Sequence, residues 1–261
     1  MPKFILIFIA MAAFSRGVQA QEFPPLPELE RVLLPITVIG VPGAFGSVWT
    51  SQGSVFRDID RSVLILPGCE QPCDNPVGPS ARHTLALDFL RTRAGETSGS
   101  IMYVERVFSE SVSVSLRLLE TSTAQSIQLP VVRERSFFTR RFQILDVPNP
   151  GGGTRITLRV YGIDPSVLGR VEVRIFAQGT EQLARDDVYG LTVVQRFYST
   201  AAYTVPVRPP VAEVSYYAPL ASTPADLLRF EIEPLTPNMP VWGFVSVTEN
   251  TTQHVTLRTP E

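Results

Sequence analysis

The stretch TRITLRVYGIDPSVLGRVEVRIF, residues 154–176, sets two alternating runs on either side of a short polar break. In the first run Ile156, Leu158 and Val160 share one face, and Arg155, Thr157 and Arg159 share the other. In the second, Val171, Val173 and Ile175 oppose Arg170, Glu172 and Arg174. A period of two sends successive side chains to opposite faces, so each run is a half-buried strand.

The same pattern extends in both directions. RVLLPITVI (31–39), SVWTSQGSVF (47–56), SVLIL (62–66), HTLALDFL (83–90), RRFQILDV (140–147), LTVVQRFY (191–198), EVSYYAPL (213–220) and LRFEIEPL (228–235) all read as strands. Turn residues recur at about the eight-to-twelve-residue spacing of an antiparallel sandwich or barrel. Two helical turns fit the caps: DPSVLG (164–169), with Asp164, Pro165 and Gly169 as cap, first position and stop, and TPADLL (223–228), with Thr223 and Pro224 in the first two roles. The predicted class is therefore all-β.

VPNPGGGT (147–154) is the clearest punctuation, with two prolines and three consecutive glycines between strand-like runs. Read as a linker over 149–154, it leaves sandwich-sized pieces on either side. The expected layout is a Pro-rich segment at 21–30, then two antiparallel β-sandwich domains in tandem at 31–148 and 155–261, immunoglobulin-like or jelly-roll-like. VWGFVSVTENTTQHVTLRTPE (241–261) has the plan of a hairpin, the last strand pair of the second domain. SIMYVERVFSESVSVSLRLLE (100–120) has the same plan in the first.

Residues 1–20 have the three-part layout of a secretory signal: Lys3, an apolar run of eleven residues from Phe4 to Phe14, and a polar segment ending in Val18-Gln19-Ala20. Eleven residues are too short to span a bilayer core of about 30 Å. Cleavage after Ala20 is expected, with no transmembrane segment left afterwards, so the protein is expected to be secreted or periplasmic.

Without Lys3 and Arg16, 21 of the 23 cations face 25 carboxylates, a formal charge of −4. That balance does not draw the molecule to nucleic acid or anionic lipid. Lys3 is the only lysine. The exported protein therefore has no lysine for Schiff-base chemistry or for a phosphate-binding loop. The 44% hydrophobic content supports a real core, and 23 prolines cut helical stretches short.

Cys69 and Cys73, in PGCEQPCDNP, are the only two cysteines. In an oxidising compartment such a close pair forms a loop-pinning disulfide, contributing about 2 kcal/mol on the chain-entropy argument. No G-x-S-x-G elbow, H-E-x-x-H or phosphate loop is present, and His83 and His254 are the only histidines. Asp58 with Asp60, and Asp186 with Asp187, sit in turn-like contexts where carboxylates ordinarily cap turns; calcium bridging is the sharper use of the same oxygens. No catalytic residue, resident metal or cofactor is assigned.

Two surfaces are candidates for binding. Arg155, Arg159, Arg170 and Arg174 lie on the polar faces of two successive strands, where one basic patch would suit an acidic polysaccharide, unless neighbouring acids neutralise it. Trp242 and Phe244 share a strand face, and Trp49, Phe137, Phe138, Tyr216 and Tyr217 lie in other strands. Such aromatics are usually core and occasionally carbohydrate platforms.

LPVVRER (129–135), RRFQILDVP (140–148) and VWGFVSVTENTTQHVTLRTP (241–260), with PGAFGS at Pro42–Ser47, resemble a group of uncharacterised exported β-sandwich proteins of Gram-negative bacteria. The resemblance implies an exported two-part β architecture and carries no activity to any residue. The expected function is a non-catalytic binding or structural component of the cell envelope, whose partner would be an envelope glycan or another exported protein. A carbohydrate-binding or adhesive module is the alternative, and a hydrolase with a carboxylate site is a weaker one.

Overall fold

The computed structural model describes residues 29–58, 65–66, 84–86, 99–149, 153–163, 169–176, 182–191, 197–200, 203–206, 211–216 and 227–261. In chain order the strands are β1 (Leu29–Leu34), β2 (Val41–Pro42), β3 (Val48–Arg57), β4 (Ile65–Leu66), β5 (Thr84–Ala86), β6 (Ser100–Glu105), β7 (Val112–Glu120), β8 (Ser126–Leu129), β9 (Val132–Arg133) and β10 (Phe142–Pro148). They continue with β11 (Thr154–Gly162), β12 (Gly169–Phe176), β13 (Gln182–Leu191), β14 (Phe197–Thr200), β15 (Tyr203–Pro206), β16 (Val211–Tyr216), β17 (Leu227–Pro234), β18 (Val241–Glu249) and β19 (Val255–Arg258). The described residues contain short 3-10 turns but no α-helix, so the chain is all-β. No helix among them is long and apolar enough to cross a membrane.

The strands form a first sheet ordered β4-β6-β1-β9 and a second ordered β2-β3-β7-β8, with β5 also on β3. A third sheet is ordered β16-β11-β18-β19, a fourth β10-β17-β12-β13, and β14 pairs with β15. Every pairing between these strands is antiparallel.

Alternation in β11 and β18 explains how the layers join. Ile156, Leu158 and Val160 register against Val247, Val245 and Gly243, and the apolar side chains of that face enter one core with Ile144, Val173, Phe230 and Ile232 of the fourth sheet. On the opposite face Tyr161 lies against Trp242, and both enter a second core with Leu33, Ile101, Leu116 and Leu129 of the first two sheets. Strand β18 is therefore buried on both faces over Val241–Thr248. Removing Phe244, wholly buried, from water is worth about 1.5–3 kcal/mol.

Gly243 allows the close approach of β11 and β18, since a Cβ there would meet the Arg159 carbonyl oxygen at 2.9 Å. Polar contacts add to the junction: Phe138 and Val241 exchange backbone hydrogen bonds of 2.8 and 2.9 Å. Arg31 donates from Nε to Glu134 at 2.8 Å and from Nη1 to the Ile163 carbonyl at 3.4 Å. Burial works to raise the Glu134 carboxyl pKa, but hydrogen bonds from Arg31 and Arg106 outweigh it and hold the group below its usual range.

One expectation about connectivity changes. The pattern shared by residues 100–120 and the 241–261 hairpin does not give the same structure. Strands β18 and β19 do pair, whereas β6 and β7 belong to different sheets, joined by the 3-10 segment Arg106–Ser111. Arg133 anchors that crossing, donating to Ser109 and Val112 carbonyls at 2.7 Å each while pairing with buried Glu30 at 2.6 Å. Pairing also crosses the glycine run, since β10, on its N-terminal side, is hydrogen-bonded to β17. Residues 164–168 and 223–226, which hold most of the two predicted helical turns, lie outside the described residues.

Candidate functional site

The four arginines singled out from the sequence do not share a surface, because β11 lies in the third sheet and β12 in the fourth. On β12, Arg170 is exposed. Arg174 is chelated by acids, Glu172 at 2.7 Å, Glu233 at 3.1 Å and Glu231 at 3.8 Å. The Glu172 hydrogen bond, with its charge, raises the Arg174 pKa. Neutralisation thus comes from Glu172 on the same strand and from Glu231 and Glu233 of β17, which pairing brings alongside Arg174. Arg174 and its neighbours form a self-compensated ionic face.

Arg155 and Arg159 sit elsewhere, on the face of β11 turned toward the first half of the chain. Their row continues across β18 as Thr248, Ser246 and Phe244. Above it runs the loop Pro42–Ser47, whose shape follows from its residues. Phe45 and Gly46 adopt φ of +57° and +77°, the left-handed region that tightens the turn. A Cβ on Gly43 would lie 2.5 Å from the Ser47 hydroxyl and 2.6 Å from Trp49 Nε1. The space is taken by the bond that Trp49 Nε1 donates to Ser47 Oγ at 2.9 Å. Ser47 Oγ in turn donates to the Ala44 carbonyl at 2.9 Å.

Between loop and sheet lies a cavity of about 200 Å³, with room for on the order of a dozen water-sized groups. One wall carries Arg155, Thr157, Arg159, Ser246 and Thr248, and the facing wall is aliphatic, including Ile36, Val38, Leu118 and Leu129. Trp49 lines it too and separates it from a smaller neighbouring cavity of about 150 Å³ bordered by His254. Among the described residues that line the larger cavity, two are cationic and none is acidic.

Arg155 is buried. It donates to Asn250 Oδ1 at 2.8 Å and Gln253 Oε1 at 2.9 Å, and its guanidinium carbon lies 5.4 Å from the Phe45 ring centroid. Arg159 donates to Ser246 Oγ at 3.3 Å and stands opposite Glu213 in the β11–β16 register. Strained backbone gathers around this space. Ile36, Phe45 and Gln253 all have positive φ, and for a β-branched residue such as Ile36 that conformation is a genuine outlier. Ser51 holds it in place, donating from Oγ to the Ile36 carbonyl at 2.7 Å and accepting from the Val38 amide at 3.2 Å.

The strand that carries Trp49 is fixed at its start by Glu120. This buried carboxylate accepts from the Val48 amide at 3.1 Å, from the Ser122 hydroxyl, and from the Thr123 amide and hydroxyl at 2.6 Å each. The Thr123 hydroxyl bond, helped by the other donors against desolvation, lowers its pKa to about 2.

The remaining candidates separate. Cys69, Cys73 and Asp60 lie outside the described residues, and Asp58 is exposed at the Ser111 carbonyl, to which its amide donates at 2.9 Å. Asp186 and Asp187 fall within strand β13 and not in a turn. The β12–β13 register slips between Val171 and Val173, so an extra residue bulges there, and a bulge mimics turn composition in sequence. Among the described residues no cluster of three or more His, Cys, Asp or Glu is placed to hold a metal ion. Trp242, Phe244 and Phe137 are core. PGAFGS was the sequence signal that lay over the cavity, but its lining comes from strands too scattered for spacing to reveal. Comparison with known proteins finds no matching family, no similar curated protein and no similar solved structure.

Proposed function

We propose that the chain is an exported, non-catalytic binding or structural protein of the cell envelope, secreted or periplasmic, with the cavity beneath Pro42–Ser47 as its binding element. The observation that carries this is the two-sided lining: guanidinium and hydroxyl groups on one wall, aliphatic side chains on the other. Concave, mostly apolar sites with a few convergent polar groups are where small molecules bind. The non-catalytic part rests on the chemistry of the polar wall. Its hydroxyls neighbour guanidiniums, which donate hydrogen bonds but do not take up a proton as a general base would. The exported location rests on the residue 1–20 layout.

Fractionation of cells expressing the full chain, with mass analysis of the N-terminus, tests the location. Protein beginning at Gln21 outside the cytoplasm is the expected result. Cytoplasmic protein retaining Lys3 would overturn the envelope assignment.

A further inference from the structure

Resting on that reading of the cavity as a binding element, we infer that its ligand is a compact organic anion with an aliphatic body, of the medium-chain carboxylate class. The wall of Arg155 and Arg159 favours a negative head group, since guanidinium matches a carboxylate in bidentate geometry. Each guanidinium carries five N–H donors; Arg159 gives one to Ser246 Oγ at 3.3 Å and lines the cavity beside Arg155. Thr248 lines the same wall, and its hydroxyl donates to a second carboxylate oxygen.

The opposite wall decides between classes. Ile36, Val38, Val41, Leu118 and Leu129 offer no hydrogen-bonding side chain. A sugar acid placed there would bury hydroxyls without partners, at a cost of several kcal/mol. An alkyl chain loses nothing on that surface and leaves water favourably. A volume of about 200 Å³ suits on the order of ten heavy atoms by the same volume per group. The clustering of positive-φ residues around the space, Ile36 at its wall with Phe45 and Gln253 on Arg155, fits a preorganised clamp, since such strain concentrates at ligand sites.

Octanoate is the probe, octanamide its neutral isostere, and tryptophan fluorescence with calorimetric titration of the exported chain the readout, because Trp49 lines the cavity. Two variants accompany the parent. Arg159→Gln removes one charged donor from a half-buried position. Ala44→Trp fills the cavity beside the loop and leaves both arginines in the sequence. Both are first checked for an unchanged melting temperature. The expected result is octanoate binding about tenfold or more tighter than octanamide, a comparable loss in Arg159→Gln, and loss of both ligands in Ala44→Trp. Equal binding of octanamide, or no effect of Arg159→Gln, overturns the anionic class while leaving the cavity as a binding element. Binding of neither probe to the parent overturns the inference altogether, and the envelope assignment then stands or falls on fractionation.

Discussion

The guanidinium carbon of Arg155 lies 5.4 Å from the centroid of the Phe45 ring, and this pair ties the Pro42–Ser47 loop to the third sheet. Phe45 is 65% exposed, an unusual position for a phenylalanine. Its ring covers a buried cation that also holds Asn250 and Gln253. A cation over a ring face contributes about 0.5–1 kcal/mol at exposed sites. The loop is closed on itself by β2–β3 pairing and the Gly43–Ser47 and Trp49–Ser47 hydrogen bonds, and Phe45 carries it onto Arg155.

The close approach of β11 and β18 makes Gly243 intolerant of a side chain. Alanine there would place Cβ 2.9 Å from the Arg159 carbonyl oxygen, which is backbone and has little freedom to move. Gly243→Ala is expected to cost about 1–3 kcal/mol, the range for overpacking, and to lower the melting temperature by several degrees. A thermal melt at or above the parent's would show that the two strands have slack.

Glu120 makes stability depend on acid pH. Its pKa falls from the ordinary 4.5 in the unfolded chain to about 2 in the fold. A lowered carboxyl pKa contributes stability that is full above the unfolded value and is lost as pH falls through the folded one. The loss therefore runs from about 4.5 down to about 2. Urea unfolding at pH 7, 4 and 2.5 should show the parent losing stability across this window. Glu120→Gln should start less stable at pH 7 and lose less on acidification. Parallel pH curves for the two proteins would remove Glu120 from the account.

Much of the local structure was legible because strand alternation is a local property. Residues 154–162 and 170–176 are strands whose predicted apolar faces, Ile156, Leu158 and Val160 with Val171, Val173 and Ile175, enter one core. Which strands become neighbours is not local. Consecutive β11 and β12 part into different sheets, so a patch assembled from both sets of arginines could not form. The polar face of β11 is covered, since a stripe of Arg and Thr suits the wall of a cavity as well as it suits water. Ser122 and Thr123 reach Glu120 from the adjoining turn, but Val48 meets it only when β3 and β7 pair, so the full set of its partners was not legible in the sequence.

Sharing of β18 between two cores predicts how the chain unfolds. Trp242 and Phe244 belong to one core and Val245 and Val247 to the other, so neither core is complete without that strand. Scanning calorimetry is expected to show a single transition with matching calorimetric and van't Hoff enthalpies. Two separated transitions would instead support independent domains divided near residues 149–154.

Arg155 and Arg159, beneath the Pro42–Ser47 loop, are the arginine pair proposed to bind, while Arg170 and Arg174 lie on another sheet. Nitrogen-15 NMR of the arginine Nε–Hε groups during octanoate titration tests this assignment most directly. Saturable shifts at Arg155 and Arg159 with Arg170 and Arg174 unmoved are expected. Shifts confined to Arg170 and Arg174, or none at Arg155 and Arg159 under saturating octanoate, would contradict it.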